Sequence, residues 1–507
     1  MSRAIAGQRT LGVMSGPSAL PSRARVVIIG GGVIGTSIAY HLGHMGWTDT
    51  VLVERDQLTS GTTWHAAGLM VTFGSTSETS TELRKYTRDL YTRLEAETGL
   101  ATGFKPVGFI ELAADAGRLE EYRRVSTFNR HCGVDVHELS PREVADKFPL
   151  ARTDDLLAGF YVEGDGRVNP VDVTMSMAKG ARQTGVTIAQ GVTVTDVVTR
   201  NGAVHSVVTD HGTIECEYVV NAAGMWARQL GAMSGVTIPL QAAEHYYLIT
   251  EEMEGLDPSW PVIEDPGNYG YYREEVGGLM VGLFEPVCAP WKVEGIPNDS
   301  SFTSIQPDWD RMGPYVEAAM SRVPKSFDTG IRTFFCGPES FTHDVMPMVG
   351  PVPELDGMWA AAGLNSVGIL SGGGLGSALA SWIVDGVAPV DMAAYHVARA
   401  FPFENSLRFR TERTVEQLGV LMGDGGFPNF QNKTARNIRR SPLHHVWAAK
   451  GAKFGCSHGW EFPEWFSPTG EIPVEQHSWG FGEHRPWVEQ EHQAVREQVG
   501  VIDMTLM

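Results

Sequence analysis

The chain has few cysteines and no long apolar run, and each deficit argues against a class of protein. Five cysteines occur among 507 residues, with no C-x-x-C pair, which disfavours a disulfide scaffold and suits a reducing compartment. Because no uninterrupted apolar run reaches about 18 residues, we predict no membrane span. Positive charge is also in deficit, since 40 Lys and Arg face 60 Asp and Glu, for a net charge of −20. Excess acid disfavours nucleic acid and anionic membranes as main partners.

Candidate metal ligands are sparse as well. His41-x-x-His44 and Cys456-x-His458 have ligand-like spacing, but we expect His41 and His44 on the exposed side of a helix and predict no metal. The length exceeds what one hydrophobic core supports, so we expect two or three domains.

Residues 1–24 carry Arg3, Arg9 and Arg23 with no acid, and we predict a flexible leader there. Such a segment is typical of a mitochondrial presequence or of a disordered leader on a bacterial protein. We favour the second interpretation, and therefore the cytoplasm, with the mitochondrial matrix as the alternative.

The strongest local signal is VVIIGGGVIG at Val26–Gly35, an apolar strand that leads into the G-x-G-x-x-G pattern. Gly30 permits a tight turn, Gly32 lets a pyrophosphate approach the backbone, and Gly35 lets the following helix pack closely on the strand. That helix is predicted from Val33 to about Met45, and its N-terminus favours phosphate. A second strand ends on Glu54, which is placed to accept hydrogen bonds from ribose hydroxyls.

Two later strands also run into small residues, at Val219–Ala227 and at Trp359–Gly376. There we expect Gly224, Gly363 and Gly372 to approach the same cofactor, with a helix over Ser377–Asp385. Three such turns far apart in sequence indicate a long cofactor, which favours FAD over a nicotinamide cofactor.

The remaining segments give a coarser plan. A capping box predicts a helix after Ser140, and Asn201-Gly202 predicts a hairpin. Mixed β-like runs over 240–335 indicate a substrate-side sheet, residues 387–440 are typical of a linker, and a strand is expected to begin near Val501.

Four segments carry a family resemblance: SGTTWHAAGL (Ser60–Leu69), VVNAAGMWA (Val219–Ala227), CGPESFTHDVMPMVG (Cys336–Gly350) and AAGLNSVGILSGGGLG (Ala361–Gly376). In this order and spacing they resemble the sarcosine and dimethylglycine dehydrogenase family, from about residue 25 to the end of the chain. The resemblance implies an α/β fold: a Rossmann-like FAD-binding domain with an inserted substrate-side mixed sheet, as in glycine and D-amino-acid oxidases. It also implies that His65 carries FAD covalently, from a ring nitrogen to the flavin 8α carbon, with Ala66 and Gly68 beside it. A packed histidine without the covalent bond is the alternative.

The family plan assigns residues 25–390 to the oxidoreductase domain and 391–440 to a small central or linker domain. Residues 441–507 then resemble the start of a folate-binding, aminomethyltransferase-like module. Most of that module is missing from this sequence, so we expect a truncated gene product. Tetrahydrofolate is implied only if the missing part were present.

Oxidation of an amine requires its neutral form, because the nitrogen lone pair supports loss of hydride from the adjacent carbon. His245 has a reference pKa suited to taking the ammonium proton, and Tyr271 can orient the amine or a water. The resemblance implies a histidine and a tyrosine at these positions, although Tyr272 replaces Tyr271 if the strand register is shifted by one. His245 as a core histidine is the alternative. Arg273 is either a partner for a substrate carboxylate or part of a surface ion pair.

The predicted activity is FAD-dependent oxidative N-demethylation of a small amino acid such as sarcosine or dimethylglycine. Hydride passes to the flavin, and the imine hydrolyses to formaldehyde, a step of one-carbon metabolism. Oxygen or an electron-transfer protein would be the acceptor. A methylated aminobutyrate or a cyclic amino acid is a further substrate class, and a catalytically inactive, flavoprotein-like regulatory subunit is the alternative function.

Overall fold

A computed structural model describes residues 20–474 and 478–505. Of the predicted leader, residues 1–19 lie outside the described residues, and the first strand begins at Arg23. The strands are β1 (Arg23–Ile29), β2 (Thr50–Glu54), β3 (Leu69–Met70), β4 (Phe109–Ala113), β5 (His137–Leu139), β6 (Ala158–Val162), β7 (Gly166–Arg167), β8 (Thr187–Gln190), β9 (Val194–Arg200), β10 (Ala203–Thr209), β11 (Gly212–Asn221), β12 (Leu240–Glu252), β13 (Val262–Asp265), β14 (Gly270–Glu275), β15 (Gly278–Leu283), β16 (Ile331–Thr342), β17 (Met348–Pro351), β18 (Met358–Ala362), β19 (Arg439–Arg440), β20 (Ala452–Ser457) and β21 (Trp460–Phe466).

The helices are α1 (Val33–His44), α2 (Glu78–Thr98), α3 (Ala116–His131), α4 (Pro141–Lys147), α5 (Pro170–Thr184), α6 (Ala227–Met233), α7 (Trp309–Met320), α8 (Gly368–Asp385), α9 (Leu407–Met422), α10 (His444–Ala449) and α11 (Arg485–Glu497). The capping box predicted at the start of α4 is present, with Ser140 and Glu143 bonded reciprocally. The β9–β10 turn has positive φ at Asn201 and Gly202, as the predicted hairpin requires.

The first sheet has the order β17-β18-β11-β1-β2-β8, with the β9–β10 hairpin attached to β11. Strands β18, β11, β1, β2 and β8 are parallel. Alternate residues of β1 face opposite layers: Val26 and Ile28 pack toward α1, α2, α5 and α8, whereas Val27 and Ile29 pack toward the hairpin and α6. The sheet is therefore covered on both faces, as a parallel sheet requires.

The second sheet has the order β16-β12-β15-β14-β13-β4-β6-β5. The predicted substrate-side segment, 240–335, supplies most of this sheet, but β4, β5 and β6 come from much earlier in the chain. The parallel pairing of β13 with β4 joins the two parts. Sequence periodicity marks strands but does not say which distant strands pair, so it does not place β4, β5 and β6 in this sheet.

The third glycine-rich segment is helical, which corrects the prediction of a helix beginning at Ser377. Helix α8 begins at Gly368 and contains Gly372, Gly374 and Gly376 within its length. A Cβ at Gly376 would lie 2.2 Å from the Ser37 Oγ, and one at Gly374 would lie 2.2 Å from the Leu83 carbonyl oxygen. These glycines let α8 pack closely against α1 and α2, which outweighs their poor helix propensity.

His41 is buried, not exposed as predicted, and only His44 of the pair is exposed. The His41 Nδ1 donates to the Ser37 carbonyl at 2.7 Å, and its Nε2 lies 2.8 Å from the Tyr86 hydroxyl. Within the described ranges, no group of three or more His, Cys, Asp or Glu side chains is arranged to hold a metal ion. In the same part of the chain, no helix is both long enough and apolar enough to cross a bilayer.

The predicted linker contains helix α9, which contacts β12 and β16. There the Cys288 thiol donates to the Thr414 carbonyl at 2.9 Å. Beyond it, β19, β21 and β20 form a small sheet. The strand expected near Val501 does not form, since α11 ends at Glu497 and residues 498–505 pair with no strand of the described chain. Asp503 is held instead by the Ser441 hydroxyl at 2.6 Å and the Trp447 indole at 2.9 Å.

Candidate functional site

A first cavity opens at the carboxyl ends of β1, β2, β11 and β18, where open α/β sheets bind ligands. Its lining includes six of the residues predicted to contact the cofactor: Gly30, Gly32, Glu54, Ala66, Gly224 and Gly363. Gly372 does not belong to this set, which corrects its assignment. It lies within α8, and a Cβ there would meet the Val33 side chain at 3.3 Å.

The glycines of the first turn allow close backbone approach. Gly30 has φ +117°, and a Cβ there would lie 2.3 Å from the Ala222 carbonyl oxygen at the end of β11. A Cβ at Gly35 would lie 2.0 Å from the Gly30 carbonyl oxygen. Gly32 is the N-cap of α1 and offers no side chain to cap it. The N-terminus of α1 therefore faces the cavity with a backbone cradle and the positive end of the helix dipole.

Glu54 lies at the end of β2, beside that cradle. Its Oε2 accepts a hydrogen bond from the Gly31 N–H at 2.7 Å, and its Oε1 accepts one from the Asp56 N–H at 2.9 Å. Burial raises the pKa of Glu54 above its ordinary value. Each carboxylate oxygen keeps a second lone pair for a hydroxyl group.

His65 lies in a short 3₁₀ turn and is 6% exposed. It faces Gly337, where a Cβ would lie 2.8 Å from the imidazole Cε1, so the glycine makes room for the ring. The His65 Nε2 is buried and has no hydrogen-bond partner among the described residues. Burial lowers the pKa of His65 to about 4, so the imidazole is neutral near pH 7. A neutral imidazole with an unpartnered nitrogen is the form that can attack an electrophilic carbon.

A second cavity of about 560 Å³ lies against the second sheet, and His65, Ala66 and Gly68 line it. A row of register partners runs across this sheet from strand to strand. Tyr247 on β12 and Tyr271 on β14 both pair with Gly282 of the strand between them. Tyr271 in turn pairs with Glu264 on β13, and Glu264 pairs with Glu111 on β4. Register partners project to the same face of a sheet. Tyr247, Tyr271, Glu264 and Glu111 accordingly line the cavity as one row.

His245, from β12, is 8% exposed and also lines the second cavity. Its Nε2 donates to the Leu283 carbonyl at 3.0 Å. Its Nδ1 lies 3.3 Å from the Ser366 hydroxyl and 3.3 Å from the Glu339 carboxylate. Burial opposes the charged form, but the attraction of Glu339 outweighs it and raises the pKa of His245. The same pairing lowers the pKa of Glu339, although burial acts in the opposite direction.

Tyr271 and Tyr272 point to opposite faces of β14. Tyr271 lines the cavity, and its ring packs at right angles to that of Phe284, with centroids 5.6 Å apart. Tyr272 is buried on the other face and donates its hydroxyl to the Ala319 carbonyl at 2.8 Å. Of the two candidates, only Tyr271 faces His245 across the cavity.

Arg273 is neither at the cavity wall nor at the surface. It is 8% exposed, and its Nη1 lies 2.6 Å from the Glu275 carboxylate. The ion pair with a neighbouring glutamate is therefore present, but its arginine is buried, whereas the Glu275 side chain is 30% exposed.

Sequence reasoning missed several charged residues that line the second cavity, among them Glu339, Glu264, Glu111 and Arg84. Glu339 lines both cavities and stands between His65 and His245. The signal lies in the segment CGPESFTHDVMPMVG, where an acid occurs within the buried C-terminal part of β16. A buried carboxylate of that kind needs a partner.

Comparison with known proteins gives two matching family models. One, described as FAD dependent oxidoreductase, matches residues 25–382, and one described as the GCVT N-terminal domain matches residues 443–507. Among solved structures, the glycine oxidase from Geobacillus kaustophilus aligns with a TM-score of 0.63 and 24% identity, over 75% of this chain and all of that one. This likeness confirms the predicted fold class.

Curated relatives cover nearly the whole chain. It is 38% identical over 486 residues to 4-methylaminobutanoate oxidase (formaldehyde-forming) of Paenarthrobacter nicotinovorans, which covers 96% of this chain and 59% of that protein. It is 39% identical over 484 residues to human mitochondrial sarcosine dehydrogenase, covering 93% and 52% respectively. It is 36% identical over 496 residues to the mouse mitochondrial pyruvate dehydrogenase phosphatase regulatory subunit, covering 96% and 56%. The chain thus spans between 52% and 59% of the length of these relatives.

Proposed function

The chain belongs to the FAD dependent oxidoreductase family, and on that premise we propose that it oxidises a small N-methylated amino acid of the sarcosine or dimethylglycine type. The imine product would hydrolyse to formaldehyde and the demethylated amine. One observation carries the proposal: the two cavities meet at Ala66, Glu339 and Ser366, with His65 and His245 beside the junction. A cofactor held in the first cavity would thus have its reactive end at the wall of the second.

The residues present fit FAD. The glycine cradle at the N-terminus of α1 and the Glu54 carboxylate suit its pyrophosphate and ribose. The unpartnered, neutral Nε2 of His65 suits a covalent bond to the flavin, which would make the flavin a stronger oxidant. When bound, FAD supplies the acceptor for the hydride that leaves the carbon next to the amine nitrogen.

The side chains around the second cavity remove the proton from the substrate ammonium group and hold it. Since the Nε2 of His245 donates to the Leu283 carbonyl, Nδ1 is the nitrogen that takes the proton from the substrate ammonium. The Glu339 carboxylate, 3.3 Å away, then stabilises the imidazolium. Tyr271 orients the amine through its hydroxyl, and burial raises the pKa of that hydroxyl so that it stays a donor. The amine thereby reaches its neutral form before the C–H bond breaks.

Substrate, acceptor and compartment belong to this proposal. The acceptor is oxygen or an electron-transfer protein. All five cysteines are free, which supports a reducing compartment: the cytoplasm, or the mitochondrial matrix as the alternative, since the names of two relatives include the word mitochondrial. Tetrahydrofolate would enter only through a longer form of the segment that matches the GCVT N-terminal domain.

An anaerobic screen tests the activity. Purified flavin-loaded protein is mixed with a panel of N-methylated amines, and the flavin absorbance is followed. Bleaching by at least one N-methyl amino acid supports the enzyme. No bleaching with any amine contradicts it and favours the alternative, a regulatory subunit such as the mouse relative.

Acid precipitation tests the covalent bond separately. The wild-type pellet is expected to stay yellow, and that of His65→Ala is expected to be colourless. A matched control is His41→Gln, another buried histidine, which lines neither cavity and should leave the pellet yellow. A colourless wild-type pellet from flavin-loaded protein would disprove covalent attachment and leave the fold untouched.

A further inference from the structure

Two carboxyl groups of the second cavity have no part in the proton transfer from the substrate ammonium group. Glu264, on β13, is the register partner of Tyr271 on one side and of Glu111, on β4, on the other. Both carboxyl groups line the cavity together with Tyr271 and His245. Glu264 is partly exposed, whereas Glu111 is 6% exposed. Glu264 is therefore the member of the pair that a small molecule in the cavity can reach.

The two carboxyl groups share a proton. They are hydrogen-bonded to each other, and the Tyr122 hydroxyl donates to the Glu111 carboxylate at 3.0 Å. Burial raises the pKa of Glu264 to about 7, although the hydrogen bond from Glu111 and the charge of Arg84 act in the opposite direction. Burial and the charge of Glu264 raise the pKa of Glu111 well above its ordinary value. Glu111 therefore holds the shared proton, and Glu264 can accept and return a second proton close to pH 7.

A buried amide in the same cavity independently indicates a polar occupant. Gln417, from α9, lines the cavity and is fully buried. Its Oε1 has no hydrogen-bond partner among the described residues, and its Nε2 makes one long bond of 3.4 Å to the Arg413 carbonyl. A buried amide is normally satisfied on both sides. The cavity volume of about 560 Å³ leaves room for water beside a small amino acid, and such a water can satisfy this amide oxygen.

We propose that Glu264 is the general base that activates water for hydrolysis of the imine inside the second cavity. Glu111 holds the Glu264 carboxylate in place through the hydrogen bond between them. The inference rests on the proposed function, because oxidation of the amine beside His245 and Tyr271 supplies the imine. Oxidation and hydrolysis would then occur in neighbouring parts of one cavity.

Other candidate bases of the cavity are already occupied when the imine forms. His245 then holds the proton taken from the substrate, and the Glu339 carboxylate, 3.3 Å away, stabilises that charge. Burial raises the pKa of the Tyr271 hydroxyl, so this group stays protonated. Two further acids of the cavity pair with arginines at 2.6 Å: Asp344 with Arg399, and Glu121 with Arg118. These commitments favour Glu264 as the acceptor of a proton from water.

The proposed step consumes one water and needs no further reactant. Water attacks the methylene carbon of the iminium ion, and a C–O bond forms as the electron pair of the C=N π bond moves to nitrogen. The Glu264 carboxylate takes a proton from this water, which leaves a neutral carbinolamine. Glu264 then returns the proton to nitrogen as the C–N bond breaks, and the hydroxyl proton passes to solvent. The products are formaldehyde, the demethylated amine and one proton.

The test traps any iminium ion that leaves the protein before it is hydrolysed. Flavin-loaded holoenzyme oxidises N,N-dimethylglycine in a single anaerobic turnover in the presence of cyanoborodeuteride. Formaldehyde dehydrogenase and its NAD cofactor remove free formaldehyde, so that formaldehyde does not feed the trap. A released iminium ion becomes dimethylglycine with one deuterium, which mass spectrometry counts per flavin bleached. We expect little deuterium from the wild-type protein.

Glu264→Gln should raise the deuterium recovered per flavin bleached at least about 10-fold, because a positioned general base contributes about 100-fold or more to such a step. Counting per flavin corrects for any change in the oxidation rate. Glu264→Asp, which keeps a carboxylate, should recover part of the wild-type behaviour. Asp344→Asn is the control, since it removes a carboxylate of the same cavity that pairs with Arg399. A wild-type level of deuterium in Glu264→Gln, or an equal rise in Asp344→Asn, would overturn the proposal.

Nuclear magnetic resonance separates the hydrolysis from the oxidation. Formaldehyde and sarcosine form a carbinolamine when they are mixed, so a protein that catalyses its collapse also speeds exchange between carbon-13-labelled formaldehyde and this adduct. Wild type and His65→Ala should both speed the exchange, and Glu264→Gln should not. Acceleration that depends on Glu264 supports the proposal even if no amine bleaches the flavin. Lack of acceleration by the wild-type protein overturns it even if amines are oxidised.

Discussion

Replacing Glu339 with glutamine removes the negative charge beside His245 and keeps the size of the side chain. At 3.3 Å and an effective dielectric constant of about 20, the charge interaction is about 5 kcal/mol. Burial of His245 already offsets part of this interaction, and the attraction of Glu339 outweighs the burial. We therefore expect Glu339→Gln to lower the pKa of His245.

The sign of the effect on activity follows from the form of His245 that works. The neutral imidazole takes the ammonium proton, so the rate falls as the pH drops through the pKa of His245. In Glu339→Gln this acid limb should move to lower pH, because the pKa of His245 falls. Because the imidazole becomes a weaker base, the maximal rate should also fall, by about 10-fold.

The assay is the anaerobic rate of flavin reduction across the pH range, measured for wild type and variant. Ser366→Ala is the matched control, since it removes the other group near Nδ1 without removing a charge. Glu285 also acts on His245 but pairs with Arg311 at 2.9 Å, so it stays in place in both variants. An acid limb that stays fixed in Glu339→Gln, or moves to higher pH, would refute the assignment of His245 as the base.

Two further predictions concern matched pairs of residues. Tyr271→Phe should slow flavin reduction with little change in thermal stability. Tyr272→Phe should leave that rate unchanged and lower the free energy of unfolding by about 1 kcal/mol, because the hydrogen bond to the Ala319 carbonyl is lost. Equal effects of the two variants on the rate would contradict the assignment of Tyr271 to the cavity face of β14. Gly35→Ala should abolish FAD binding or folding, because its Cβ would lie 2.0 Å from a carbonyl oxygen, while Gly313→Ala, in the open part of α7, should be neutral or stabilising. Flavin content and melting temperature are measured for both glycine variants. A stable, flavin-loaded Gly35→Ala would show that the turn can widen to accept a Cβ.

The nucleotide-binding turn could be predicted because all parts of its sequence motif lie close together in the chain. Strand, glycines, helix and acid follow one another within 29 residues, from Val26 to Glu54, and each has a mechanical role that spacing alone expresses. The structure begins α1 at Val33, as the pattern predicts. The same glycine argument was wrong for α8, because there the glycines serve packing against α1 and α2, a requirement set by chain hundreds of residues away.

The charged part of the site was not predictable in this way. Glu339 meets His245 only because β16 pairs with β12, and Glu111 meets Glu264 only because β4 joins a sheet formed mainly by later strands. A single buried acid in a strand predicts that some partner exists, but its identity depends on tertiary register. Histidine and tyrosine could be chosen because a family resemblance named the residue types. The resemblance gave no such guide to Arg84.

Register is the property on which the second cavity depends. Tyr271 lies directly over Gly282, where a Cβ would be 1.7 Å from the ring, so only a residue without a side chain fits beneath it. A shift of β14 by one residue would put Tyr272 over the cavity and break its bond to the Ala319 carbonyl. It would also turn Tyr271 toward the apolar core and separate it from Glu264. Gly282 therefore fixes, through one steric constraint, that Tyr271 faces His245. It also fixes that Glu264 is the neighbour of this tyrosine on the adjacent strand, on the side of the cavity that Arg84 lines.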